Sequence, residues 1–94
     1  MADWFVYVVR CADDTLYTGI TTDVARRIDT HNSGRGSKYT AARRPVTLVY
    51  AVPAADRGAA SRLERRIKML PRAAKLSLVA GSREAPWSTP STRT

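Results

Sequence analysis

Trp4-Phe5-Val6-Tyr7-Val8-Val9-Arg10, then Cys11-Ala12-Asp13-Asp14, then Thr15-Leu16-Tyr17-Thr18-Gly19-Ile20: this opening stretch decides the fold. Residues 4–10 are aromatic and β-branched, the side chains that suit a pleated, half-buried surface, and they read as a strand. Residues 11–14 carry turn-forming acids, so residues 15–20 read as the returning strand of a hairpin. Side chains alternate with period two along a strand. An odd-length loop such as Ala12 to Asp14 would therefore place Tyr7 and Tyr17 on the same face.

Working outward, Thr22 or Asp23 can cap a helix running to about Asn32, with Gly34 suited to its end. Arg35 to Pro45 opens with Gly and Ser and carries further bases, so it reads as an exposed basic loop. Val46 to Val52 reads as a third strand, ended by Pro53. Asp56 can cap a helix through Leu70 whose buried face holds Leu63, Ile67 and Leu70. Pro71 breaks that helix and permits a short one from Arg72 to Ala80. The order is β-β-α-β-α-α, a small α+β domain with a three-stranded antiparallel sheet flanked by helices. The domain is expected over residues 1–81. Residues 82–94, rich in Ser, Thr, Pro and Arg, are expected to be a disordered tail, with Trp87 able to dock back on the body.

A chain of 94 residues with 44% apolar content suits one compact domain with a modest core. No apolar run approaches the ~20 residues that span a bilayer, so no membrane association is expected. The N-terminus lacks the pattern of a signal peptide, and the single cysteine, Cys11, excludes an internal disulfide and a multi-cysteine zinc site. A cytoplasmic location is the expectation. Charge is more specific. The net +8 is uneven: residues 1–25 sum to −3, whereas residues 26–75 hold thirteen bases against Asp29, Asp56 and Glu64. Such a block favours a polyanion, because neutralised phosphates release condensed counterions. Arginine outnumbers lysine, and arginine grips phosphate bidentately.

The residues able to do chemistry each have a plain structural explanation when taken singly. On the first helix Val24 and Ile28 define the inward stripe, and at ~100° per residue Arg27 and His31 lie beside or within it. A cation and an imidazole there are costly unless they line a pocket open to water or an anion. Glu64 falls at the edge of the packed face of its helix. It can pair with Lys68 at i, i+4 for ~0.2–0.5 kcal/mol, or hold Mg²⁺ through its oxygens. Tyr7, Tyr17, Tyr39 and Tyr50 can be packing residues with surface hydroxyls. To accept a proton from water, a phenol needs its pKa brought down from ~10, a push that Arg27 or a metal ion would supply.

Taken together, these residues resemble the GIY-YIG nuclease family. Phe5-Val6-Tyr7 stands where the family has its first triplet, and Tyr17-Thr18-Gly19 matches the second. Arg27, His31 and Glu64 (in Leu63-Glu64-Arg65-Arg66-Ile67-Lys68) follow in order, so the resemblance covers about residues 4–80. The Leu16-to-Thr21 run and the Gly34-to-Arg44 loop look like the small stand-alone bacterial members.

The resemblance implies hydrolysis of phosphodiester bonds with one divalent ion, Mg²⁺ or Mn²⁺, held by Glu64. Tyr7 or Tyr17 would accept a proton from the attacking water, His31 would assist or orient that step, and Arg27 would stabilise charge on the phosphate. The expected substrate is DNA, single-stranded or structured rather than plain duplex, with RNA open and no obligate protein partner. The alternative is a nucleic-acid-binding module that keeps the fold without turnover. Contacts to the strand are expected from Arg26, Arg35, Lys38, Arg43, Arg44 and Lys68, with Tyr39 as a base-stacking platform. The chain departs from the family in three places. Phe5 replaces a glycine, Ile20 stands where many relatives have lysine, with Lys38 as a substitute, and no Asn or Gln follows Glu64.

Overall fold

The computed structural model describes residues 4–80; Trp87 and the proposed tail lie outside them. Strands β1 (Trp4–Arg10) and β2 (Leu16–Thr21) lead into helix α1 (Val24–Asn32) and the single-turn α2 (Lys38–Ala41). Strand β3 (Thr47–Ala54) and helices α3 (Arg57–Lys68) and α4 (Arg72–Ala80) complete the order. The sheet runs β2-β1-β3, antiparallel throughout. This is the α+β architecture expected from the sequence.

β1 is central, so it is covered on both faces: Val6, Tyr7, Val8 and Val9 are all buried. Tyr7 and Val9 face one core, which holds Cys11, Val46 and Ala51 and packs on Val24 and Ile28 of α1. Val6 and Val8 face the other, with Ala60, Ile67 and Leu63 of α3 and Leu78 and Val79 of α4. The period-two alternation of β1 therefore assigns α1 to one layer and α3 with α4 to the opposite layer.

The hairpin turn is made by Asp14 in the left-handed region (φ +71°), which short polar side chains tolerate. Cys11 N–H donates to the Thr15 carbonyl (2.8 Å), and the Asp13 carboxylate accepts from Thr15 Oγ1 (2.6 Å). The resulting register pairs Tyr7 with Gly19 and Val9 with Tyr17, so the two tyrosines do share a face. Asp23 is the cap of α1, accepting from Arg26 N–H, and Asp56 caps α3 through Ala59 N–H.

Three local readings needed correction. Pro53 does not end the third strand: it sits within β3, opposite Phe5. A proline lacks the N–H a central strand requires, but β3 is an edge. The segment 35–45 is not wholly a loop either. Ser37 caps α2 through Thr40 N–H (3.2 Å), and this one turn brings a buried Thr40 against α1. Helix α3 also stops at Lys68, with Met69 as its C-cap, short of Leu70.

Candidate active site

The site begins on β1. The Tyr7 side chain lies across Gly19, its direct partner on β2, so closely that a Cβ at Gly19 would stand 2.5 Å from the phenolic oxygen. The glycine of the second triplet is therefore a spacing requirement for this ring. From the first turns of α1, Arg27 Nε–H donates to the Tyr7 oxygen (3.3 Å) and Arg27 Nη2 donates to the Gly36 carbonyl (3.4 Å). One turn on, His31 Nε2 shares a hydrogen bond with the same phenol at 2.7 Å. On its other side His31 Nδ1 is 2.8 Å from Thr40 Oγ1. Gly36 lies flat against the imidazole, where any Cβ would run into Nδ1.

Burial separates the two tyrosines. Tyr7 is 1% exposed and His31 0%, so neither lines an open surface. Tyr17 is half-buried, its ring set edge-on to His31 (centroids 5.4 Å apart), and its hydroxyl has no hydrogen-bond partner among the described residues. The expectation that Arg27 would bring a phenol's pKa down fails at Tyr7. Burial raises it, and this outweighs the lowering by the Arg27 hydrogen bond and charge, while Tyr17 and Glu64 add to the rise. Tyr7 is a phenol in the resting protein. The His31 pKa is lowered, by burial first and by the Arg27 cation second, so the imidazole is neutral.

Arg27 and Arg26 line an open polar cleft of about 510 Å³ with Thr21, Thr22, Asp23 and Thr30. A guanidinium carries five N–H donors. Nε and one Nη2 hydrogen of Arg27 are engaged, which leaves three for a ligand in the cleft.

Glu64 stands apart from the hydrogen-bonded cluster. Its Oε2 accepts from Lys68 Nζ at 2.9 Å, the i, i+4 pair legible in the sequence, and its side chain is 23% exposed. Its charge is nevertheless felt at Tyr7. No group of three or more His, Cys, Asp or Glu could hold a metal among the described residues. One half-buried carboxylate with Oε1 uncommitted suits an ion such as Mg²⁺, which keeps most of its waters and takes substrate phosphate oxygens.

The candidate strand contacts fall into two groups. Arg26, Arg35 and Lys38 are exposed, and their side chains are unpaired among the described residues. Arg43 is committed: its Nε donates to Asp13 (3.0 Å), its Nη1 to the Tyr39 carbonyl (3.0 Å), and its guanidinium lies 3.9 Å over the Tyr39 ring. Tyr39 also stacks on Tyr17 (5.8 Å), so it is part of a clasp joining α2 to the hairpin and not a vacant platform. Arg44 Nε donates to the Ala41 carbonyl, and Lys68 is held by Glu64. Sequence reasoning missed Gly36, Ser37 and Thr40. The signal available was Ser37 three residues before Thr40, a capping spacing hidden inside a segment read as loop.

Comparison with known proteins identifies the family. Residues 3–77 match the GIY-YIG catalytic domain family, a nuclease superfamily whose members generally use divalent metal ions on nucleic acids. A UPF0213 protein of Desulfotalea psychrophila is 56% identical over 80 residues, 84% of this chain and 73% of that protein. The UPF0213 protein YhbQ of Escherichia coli is 49% identical, over 85% of this chain and 80% of the relative. The solution NMR structure of the UPF0213 protein BH0048 from Bacillus halodurans superposes with a TM-score of 0.54 at 44% identity, covering 82% of each chain. No described helix is long and apolar enough to cross a membrane. With a family match over residues 3–77 and relatives at 49–56% identity, the chain belongs to the GIY-YIG catalytic domain family, within its UPF0213 group.

Proposed function

We propose that the protein is a divalent-metal-dependent endonuclease that hydrolyses phosphodiester bonds in DNA, acting on single-stranded or structured substrates ahead of plain duplex. The observation that carries the reading is Arg27: a guanidinium pinned at Nε and Nη2, with three donors left over, at the wall of a polar cleft. A fixed cation costs no reorganisation when charge builds on a phosphate, which is where electrostatic catalysis is strongest.

Tyr17, the half-buried phenol with no hydrogen-bond partner among the described residues, gives its own proton to solvent and, as the phenolate, orients the attacking water and takes a proton from it. Tyr7 and His31 are too enclosed to meet that water, and they hold Arg27 instead. Glu64 would hold the divalent ion, which when bound polarises the scissile phosphate and stabilises the leaving oxygen. Arg26, Arg35 and Lys38 supply the exposed charge for flanking phosphates, and such contacts position a strand without reading its sequence. The choice of single-stranded or structured DNA is supported by these scattered cations, which suit backbone contacts along a strand.

The test is incubation of the purified protein with labelled single-stranded, duplex and branched DNA, and with RNA, in Mg²⁺ or Mn²⁺. Cleavage of DNA that is lost in Glu64→Ala and Tyr17→Phe is the expected result. Salt-sensitive binding with no metal-dependent product would instead establish a non-catalytic binding module.

A further inference from the structure

Behind the Arg27 guanidinium stand three enclosed side chains in series. Tyr7 Oη is 2.7 Å from His31 Nε2, and His31 Nδ1 is 2.8 Å from Thr40 Oγ1. Thr40 and His31 are both 0% exposed. Thr40 Oγ1 is in turn 3.3 Å from the Ser37 carbonyl oxygen and 3.0 Å from Ser37 Oγ. A neutral imidazole carries one N–H and one bare nitrogen, so this series has two arrangements.

In the first, the Thr40 hydroxyl donates to His31 Nδ1, and His31 Nε2–H donates to Tyr7. The Tyr7 oxygen then faces two donors, His31 and Arg27, and its own proton has no acceptor among the described residues. In the second, the Thr40 hydroxyl donates to the Ser37 carbonyl and accepts from His31 Nδ1–H. Nε2 is then bare and accepts the Tyr7 O–H, while the Tyr7 lone pairs receive Arg27 Nε–H. Only the second gives every enclosed donor an acceptor, and leaving a buried donor unmet is costly.

We propose that Thr40 is a positioning residue for Arg27: by accepting the Nδ1 proton of His31 it fixes Nε2 as the acceptor for Tyr7, and so fixes the Tyr7 oxygen as the acceptor for Arg27 Nε. The single turn α2 exists to present that hydroxyl, with Ser37 capping it and Gly36 closing the face of the ring. The charged and titratable groups facing the imidazole are Arg27 on its own helix, Tyr7 on β1 and Tyr17 on β2. The burial and cation that keep His31 neutral serve the same arrangement. The functional half of the proposal rests on Arg27 as the phosphate-binding cation.

His31 is the only histidine in the chain, so ¹⁵N NMR of the full-length histidine-labelled protein at neutral pH reads this one ring. The expected spectrum has a pyrrole-type Nδ1 and a pyridine-type Nε2. Thr40→Val removes the acceptor with little change of shape. It should erase that signature and lower kcat on a labelled DNA oligonucleotide roughly 10–100-fold, with KM nearly unchanged. Thr40→Ser should restore both. A wild-type protein protonated at Nε2 overturns the proposal, as does Thr40→Val with tautomer and kcat unaltered. Should Thr40→Val fail to fold, the wild-type tautomer and the Thr40→Ser rate decide. A wild type that cuts no nucleic acid refutes the nuclease reading, and the tautomer still upholds or overturns the hydrogen-bond assignment.

Discussion

Replacing Gly19 by alanine tests whether the second triplet's glycine is there to seat Tyr7. A Cβ at this position would lie 2.5 Å from the Tyr7 oxygen and 2.7 Å from Cζ, about 0.9 and 0.7 Å inside the 3.4 Å at which ordinary contact begins. The obstacle is the enclosed head of the ring. It cannot retreat freely, because its oxygen is held by His31 at 2.7 Å and by Arg27 at 3.3 Å. Overpacking of this kind costs about 1–3 kcal/mol. In a domain of this size each kcal/mol lowers Tm by about 4–8 °C. If the ring yields, Arg27 loses its anchor, and displacing a catalytic group by ~1 Å costs about 100-fold in rate. Thermal unfolding by circular dichroism and single-turnover cleavage of a labelled oligonucleotide give the two readouts. A Gly19→Ala protein with both Tm and rate at the wild-type values would refute the spacing argument.

Other outcomes follow from the same contacts. Arg43→Ala should free the α2 turn from the hairpin and lower Tm, with the lost cation–π contact alone worth about 0.5–1 kcal/mol. Faster amide exchange confined to residues 37–41 and the turn at 12–15 would check it. His31 has a lowered pKa when folded, so below its ordinary 6.5 the unfolded chain binds the proton more readily than the native one. Stability should therefore fall as pH drops through 6.5 toward the folded value, and urea titrations at pH 7.5 and at lower pH should show it. Tyr7 works in the opposite direction. Its folded pKa is raised, so stability should decline as pH rises beyond the ordinary 10.0 and the unfolded phenol ionises.

The sequence discloses the parts of this molecule that obey a short period. The aromatic and β-branched run Trp4–Arg10 read as a strand, an odd-length turn at Ala12 to Asp14 would put the tyrosines on one face as found, and the Val24/Ile28 stripe put Arg27 and His31 beside or within the inward face. Contacts that span distant segments left no such periodicity. Thr40 reads as an unremarkable loop hydroxyl until α1 is laid beside it nine residues away, with Ser37 and Gly36 already turned to receive His31. Asn32 is similar: its side chain donates to the Val46 carbonyl (3.1 Å) and accepts from Val46 N–H (2.7 Å), a two-way clip from α1 to the start of β3. The charge count also hides some partners. Of the thirteen bases in residues 26–75, Arg43 also pairs with Asp13 and Lys68 with Glu64, contacts a count of charges does not show.

β1 has one further consequence. Tyr7 with its arginine and histidine hangs on one side of this strand, and Glu64 rides on the helix packed against the other. The helix that carries Arg27 and the helix that carries Glu64 are thus held on opposite faces of one sheet. The sheet acts as a gauge block between them, and the far core of Val6, Val8, Ala60 and Ile67 sets how firmly α3 is pressed to it. Slackening that core, by warming or by Ile67→Val, shifts the carboxylate relative to the guanidinium before any strand is lost. Cleavage should therefore fade several degrees below the temperature at which the circular dichroism of the protein melts.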